Sequence, residues 1–142
     1  MNIPLFLHIF FIYFLIILNP NFAQANIVFI LVDDLGWADV SYHGSKIKTP
    51  NIDLLADNGI KFEKFYSSQF TSQAQSSLLT GRYPFRMGLQ TGSIFSNTNY
   101  GIPENEELLS EILSQNGFNT YFCGQWALGV NNNKYLPTNN GF

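Results

Sequence analysis

Cysteine is almost absent from this chain. Cys123 stands alone, so no disulfide can close within the sequence. Its thiol has two readings, a small hydrophobe packed beside Phe122 or one half of a bridge to a cysteine outside these residues. Charge is scarce as well. Lys and Arg number 7 against 10 Asp and Glu, a formal net charge of -3. With no basic cluster there is no footprint for nucleic acid, whose binding rests on many Lys and Arg contacts to phosphate. No Asn-x-Ser/Thr triplet occurs, so no N-linked glycan is expected on this stretch. Internal repeats are missing too, and the nearest approach to low complexity, Asn131-Asn132-Asn133, reads as a solvated turn.

What is present begins with an apolar run from Ile3 to Leu18, followed by the small-x-small triplet Ala23-Gln24-Ala25. That order suits a cleaved signal peptide over residues 1–25, leaving Asn26 as a new N-terminus in the secretory pathway, secreted or lysosomal, with no membrane contact after cleavage. An uncleaved anchor is the competing reading, because no Lys or Arg precedes the run. Against it, a spanning helix needs about 20 apolar residues, and Asn19-Pro20-Asn21 interrupts the run first.

Downstream, residues 26–142 show no further domain boundary. Asn26 to Val32 is a continuous β-branched and aromatic run, the pattern of a parallel strand buried on both faces. Asp33 and Asp34 would then lie at its carboxyl end, the edge where open α/β sheets bind ligands. Thr49 and Pro50 predict a helix start, with Gly59 as its stop. Ile60 to Tyr66 reads as a second strand and Ser72 to Thr80 as a helix ended by Gly81. A longer helix is predicted from near Pro103, with Glu104, Glu106 and Glu107 in a favourable first turn. Leu108, Leu109, Ile112 and Leu113 share one of its faces, and Gly117 closes it. Phe118 to Cys123 completes the pattern as a strand, placing Gln125 and Ala127 at a carboxyl edge. This β-α-β alternation predicts an α/β class with a mainly parallel sheet flanked by helices.

Three short segments carry chemistry in a fixed order: Asp33-Asp34-Leu35-Gly36-Trp37, then Leu78-Leu79-Thr80-Gly81-Arg82, then Gly124-Gln125-Trp126-Ala127-Leu128-Gly129. Together they resemble the N-terminal part of the sulfatase family, from about Asn26 to Phe142. Tyr42-His43-Gly44-Ser45, Thr49-Pro50-Asn51-Ile52-Asp53, Gly88-Leu89-Gln90 and Leu136 to Phe142 place the resemblance nearest the arylsulfatase B-like branch. The resemblance implies the alkaline phosphatase-like sulfatase fold, of which only the N-terminal part is expected here, since family members are several times longer. It also implies a sulfuric ester hydrolase ancestry, with a sulfated small molecule or glycan as the partner class.

Sulfate-ester hydrolysis needs a nucleophile at sulfur, a cation that neutralises sulfate oxygens and an acid for the leaving oxygen. The family's nucleophile is a cysteine or serine oxidised to formylglycine within a C/S-x-P-S-R segment. Counting back from Leu78, the nucleophile position falls on Thr71, the proline on Gln73 and the arginine on Gln75. Oxidation of threonine at Cβ gives a ketone, because a methyl group already occupies that carbon, so no formylglycine is expected. Ser72, one residue away, lacks the same recognition residues. In the family's G-K-W-H-x-G segment the lysine and histidine positions fall on Gln125 and Ala127. Loss of one positioned catalytic donor commonly costs ~10²–10³ in rate, and such losses do not add.

Asp33 and Asp34 are hard oxygen donors suited to calcium or magnesium, and the resemblance implies calcium. The family completes that site with an acid, an amide and the formylglycine oxygens, so a weak or incomplete calcium site is expected. Arg82 is expected to steady the site from behind. His43 is assigned a structural hydrogen bond, Arg86 a surface turn, and Trp37 and Trp126 packing. The residues thus predict an arylsulfatase-like chain without turnover. The alternatives are an active sulfatase and a phosphodiesterase of the same superfamily using the Thr71 hydroxyl as nucleophile.

Overall fold

The computed structural model describes residues 25–142. The segment 1–25 assigned to a signal peptide lies outside the described residues but for Ala25. The chain divides into a unit ending at Val32 and a unit spanning Asp33–Phe142. In the first, residues 25–32 carry no regular secondary structure, and Val28 is 79% exposed.

The second unit contains α1 (Pro50–Asn58), α2 (Thr71–Thr80) and α3 (Leu109–Gln115), joined by 3-10 turns and extended chain. Sequence chemistry sets most of their ends. Pro50 opens α1 with a backbone already shaped for the first turn, and Gly59 follows its last residue. Thr49 precedes α1, but its hydroxyl bonds Ser41 and Asp53 and leaves the helix N–H groups alone. Gly81 ends α2 at φ 66, where its N–H bonds the Ser77 carbonyl.

α3 starts later than the sequence predicts. Its acidic lead-in is engaged elsewhere: Glu106 pairs with Arg82 at 2.8 Å and Glu104 with Lys134 at 2.6 Å. The second contact raises the lysine's pKa, chiefly through its hydrogen bond to Glu104. Leu108 remains extended (φ -93, ψ 150), and its N–H donates to Glu111 Oε2 at 2.8 Å, which fixes the helix start one residue later.

Among the described residues no strand forms, in contrast to the three expected over 26–32, 60–66 and 118–123. A strand exists only as a ladder with a neighbour, and these runs pair with none and leave most of their apolar side chains in solvent. Tyr66 is 85% exposed and Tyr121 is 87% exposed. The expected sheet is therefore not seen, although its hydrophobic patterning is in place.

The core lies elsewhere, where Met87, Leu89, Ile94, Ile102, Leu108 and Leu128 pack together with Leu79, Trp126 and Tyr135 against them. It joins the end of α2 to the loops on either side of α3. The Ile102 N–H donates to the Leu128 carbonyl at 2.8 Å, and Gly101 lies so close that a Cβ there would sit 2.6 Å from Tyr135 Cγ. The segment carrying Gln125 and Ala127 is held by this core.

Candidate functional site

α2 carries no charged residue and docks through polar side chains along its first turns and through Leu79 near its end. Phe70 is extended at its N-cap and accepts from the Ala74 N–H at 2.9 Å, so Thr71 is the first helical residue. Ser72 is fully buried, and its Oγ accepts from the Ile94 N–H at 2.7 Å. Gln73 Nε2 donates to the Gln90 carbonyl at 2.9 Å. These two contacts fasten the start of α2 to the chain from Gln90 to Ile94.

Gln75 makes the longest-range connection. Its Nε2 donates to the Gln125 carbonyl at 2.8 Å, while its Oε1 accepts from the Ala127 N–H at 3.0 Å. One amide therefore satisfies a donor and an acceptor on alternate residues of a distant segment, in a place only 8% exposed. A buried amide with both ends paired is stable; with either end unpaired it would be costly. Gln75, Gln125 and Ala127 are brought together by this contact, and Thr71 lies one turn before Gln75 on α2. Ala127 is buried, whereas the Gln125 side chain is exposed.

Arg82 follows α2 and directs one guanidinium nitrogen at both carboxylate oxygens of Glu106, at 2.9 and 2.8 Å. Glu106 is almost wholly buried and Arg82 is half exposed. Glu106 carried no sequence signal for this partnership, since its acidic neighbours matched a helix first turn equally well.

Asp33 and Asp34 form a separate corner. Asp33 Oδ1 accepts from the Asp34 N–H at 3.2 Å, and Asp34 adopts φ 54, a left-handed conformation that Asp tolerates better than most residues. Both carboxylates are exposed. Asp39, nearby in sequence, is occupied by the Gly36 N–H at 2.7 Å. The donor pair suits a hard cation in kind, but calcium takes 6–8 oxygens. Among the described residues no group of three or more His, Cys, Asp or Glu gathers to hold a metal.

His43 anchors the loop after this pair. Its Nδ1–H donates to the Trp37 carbonyl at 2.8 Å, the Trp37 ring stacks on it at 3.6 Å, and Nε2 lies 3.7 Å from Glu63. Lys61 sits over the Tyr42 ring at 5.5 Å. This cluster ties the loop to the extended segment after α1. Trp37 is exposed despite its expected packing role, while Trp126 is half-buried against the core.

The family model for Sulfatase matches residues 25–142. Arylsulfatase J of Mus musculus is 38% identical over 120 residues, covering 84% of this chain and 20% of that protein. Arylsulfatase A of Homo sapiens is 38% identical, with 82% of this chain and 24% of the relative covered. N-acetylgalactosamine-6-sulfatase of Homo sapiens is 36% identical with the same coverage, 82% and 24%. Among solved structures, the crystal structure of Ps i-CgsB superposes with a TM-score of 0.65 at 34% identity, over 78% of this chain and 25% of that one. The chain thus spans about a fifth to a quarter of the length of these relatives.

Proposed function

The chain belongs to the sulfatase family, with an arylsulfatase-like sulfuric ester hydrolase ancestry, and we propose that it keeps the family's frame without performing the hydrolysis. The observation that carries this reading is the Gln75 amide, closed on Gln125 O and Ala127 N at 2.8 and 3.0 Å. By the motif register, Gln75 stands where an arginine is expected. Arginine has five donors and no acceptor, so it cannot take the Ala127 N–H as Gln75 Oε1 does. The neutral amide therefore suits a structural clamp better than it suits an oxyanion site.

The nucleophile position supports the same reading. Thr71 cannot give an aldehyde, and Ser72 Oγ is buried and committed to the Ile94 N–H. With Gln125 and Ala127 in the family's lysine and histidine positions, neither a charged donor nor a proton donor is supplied there. The partner is then a sulfated small molecule or glycan of the family's substrate class, held without turnover. Asp33 and Asp34 would supply part of a calcium site, completed by oxygens from other residues, and residues 1–25 would direct the chain to the secretory pathway. Among the described residues no helix is long and apolar enough to cross a membrane.

Mass spectrometry of the Phe65–Arg82 tryptic peptide tests the nucleophile directly in protein secreted by cells that make active sulfatases. The expected mass is that of unmodified Thr71 and Ser72. A peptide lacking two hydrogens, or trapped by an aldehyde-reactive hydrazide, overturns the reading in favour of an active sulfatase. Zinc-dependent turnover of an aryl phosphate diester would instead favour the Thr71 phosphodiesterase.

A further inference from the structure

Three Asn-Gly steps occur in the chain, at Asn58-Gly59, Asn116-Gly117 and Asn140-Gly141. Asparagine is a thermolabile residue. A following glycine makes it more so, because no Cβ hinders the approach of the glycine nitrogen to the asparagine side chain. In the open chain the three steps are chemically alike. The fold treats each of them differently.

Asn140 is closed in on every side. It is 6% exposed, and its Nδ2 donates to the Lys134 and Leu136 carbonyls at 2.9 and 2.6 Å. Its own carbonyl accepts from Ser110 Oγ at 2.6 Å. Gly141 lies so tightly on α3 that a Cβ there would collide with the backbone of Ser110 and Glu111, and its carbonyl accepts from Thr120 Oγ1. Bringing the Gly141 nitrogen onto the Asn140 side chain requires this turn to leave α3.

Asn116 is exposed but bound into the end of α3. Its N–H bonds the Ile112 and Leu113 carbonyls, both at 3.1 Å, and its Nδ2 donates to the Ile112 carbonyl at 2.7 Å. The nitrogen that would attack is committed as well. The Gly117 N–H donates to the Ser114 carbonyl at 3.1 Å, and the Phe118 N–H closes the turn onto the Leu113 carbonyl at 3.0 Å.

Asn58 lacks this closure. It is the last residue of α1 and is exposed. Its Nδ2 donates to the Leu54 carbonyl at 2.8 Å, a bond that is lost when the last turn frays. Among the described residues no hydrogen bond holds the Gly59 N–H. Beyond it, Ile60 is 84% exposed in a segment that joins no ladder. Helix ends without such ties open at little cost, and the chain on the carboxyl side of Asn58 is free to follow.

We propose that Asn58 is a site of spontaneous covalent modification in the folded protein, converted through a succinimide to aspartate and isoaspartate, while Asn140 is preserved by the fold. The Gly59 nitrogen attacks Asn58 Cγ and forms a C–N bond. The Cγ–Nδ2 bond breaks, and ammonia leaves with the proton from Gly59. Water then opens either carbonyl of the ring. One opening gives aspartate, and the other gives isoaspartate, which carries the backbone through Cβ and lengthens it by one carbon. Both add a carboxylate at the C-terminal end of α1, where the macrodipole favours cations, beside Asp57 and its partner Lys61 at 3.4 Å. The lengthened chain leads into the segment whose Glu63 and Lys61 meet His43 and Tyr42, so that contact is the part of the structure it disturbs.

The test incubates the full chain in ¹⁸O-labelled water at mildly alkaline pH, once folded and once in urea. Trypsin digestion in ordinary water follows, so only conversion during the incubation carries the label. The peptides 49–61, 87–134 and 135–142 separate the three steps, and fragment spectra locate the labelled residue. In the folded chain, label should enter Asn58 about tenfold faster or more than Asn116 or Asn140, because fraying is far less costly than unfolding a packed turn. In urea the three rates should converge. The proposal is overturned if Asn58 of the folded chain keeps its amide over the time in which the urea-treated chain loses it. Labelling of Asn116 or Asn140 as fast as Asn58 before unfolding overturns it equally.

Discussion

Gln75 illustrates how one neutral side chain can tie two distant segments together. Its amide supplies a donor to Gln125 O and an acceptor to Ala127 N, both from a nearly buried site. Gln75→Ala should lower stability by about 1–3 kcal/mol, because it strands a backbone donor and acceptor. Ser77 provides the opposite case, since its Oγ is buried with no hydrogen-bond partner among the described residues. Ser77→Ala should be neutral or slightly stabilising, and urea denaturation of the two variants beside the unaltered chain checks both directions. Motif spacing singled out Thr71, Gln75, Gln125 and Ala127, but no spacing rule says that one of them grips two others. That contact depends on the core bringing residues fifty positions apart into register.

Helix ends were legible because capping is local. Pro50, Gly81 and Gly117 lie at or next to the boundaries that their backbone preferences suit, while Gly59, which is extended, follows α1 where a Cβ would lie 2.9 Å from the Leu55 carbonyl oxygen. The start of α3 was not legible, because two acids that suit a first turn are drawn off by partners distant in sequence. Arg82 and Glu106 form the more consequential of those pairs. Arg82→Ala leaves the buried Glu106 carboxylate without its cation and should cost about 1.5–3 kcal/mol. The half-exposed arginine keeps the figure below that of a fully buried pair. Arg82→Lys should recover part of the loss, and thermal unfolding of both variants measures it. The strand-patterned segments were legible as hydrophobic runs only. Their pairing is a property of neighbours, and among the described residues no ladder forms around them.

At the scale of the whole molecule, one small core supports α2 and the loops on either side of α3, while the runs 27–32 and 60–66 keep their apolar side chains in solvent. Amide hydrogen exchange should reflect that division. Amides of the later turns of α2 should be protected to nearly the global unfolding free energy, and those of 60–66 should exchange close to the open-chain rate. Protection in 60–66 matching that of α2 would mean that these runs are paired in solution. The sulfatase family and fold were legible from three ordered motifs, and a solved relative with a TM-score of 0.65 agrees with them. The proposal that the chain lacks turnover is tested most directly by hydrolysis of 4-methylumbelliferyl sulfate by the purified full chain in saturating calcium, with an active arylsulfatase as the positive control. The expected result is a rate indistinguishable from buffer. Turnover that disappears in Thr71→Val or Ser72→Ala would contradict the account and restore the chain to the catalysts of its family.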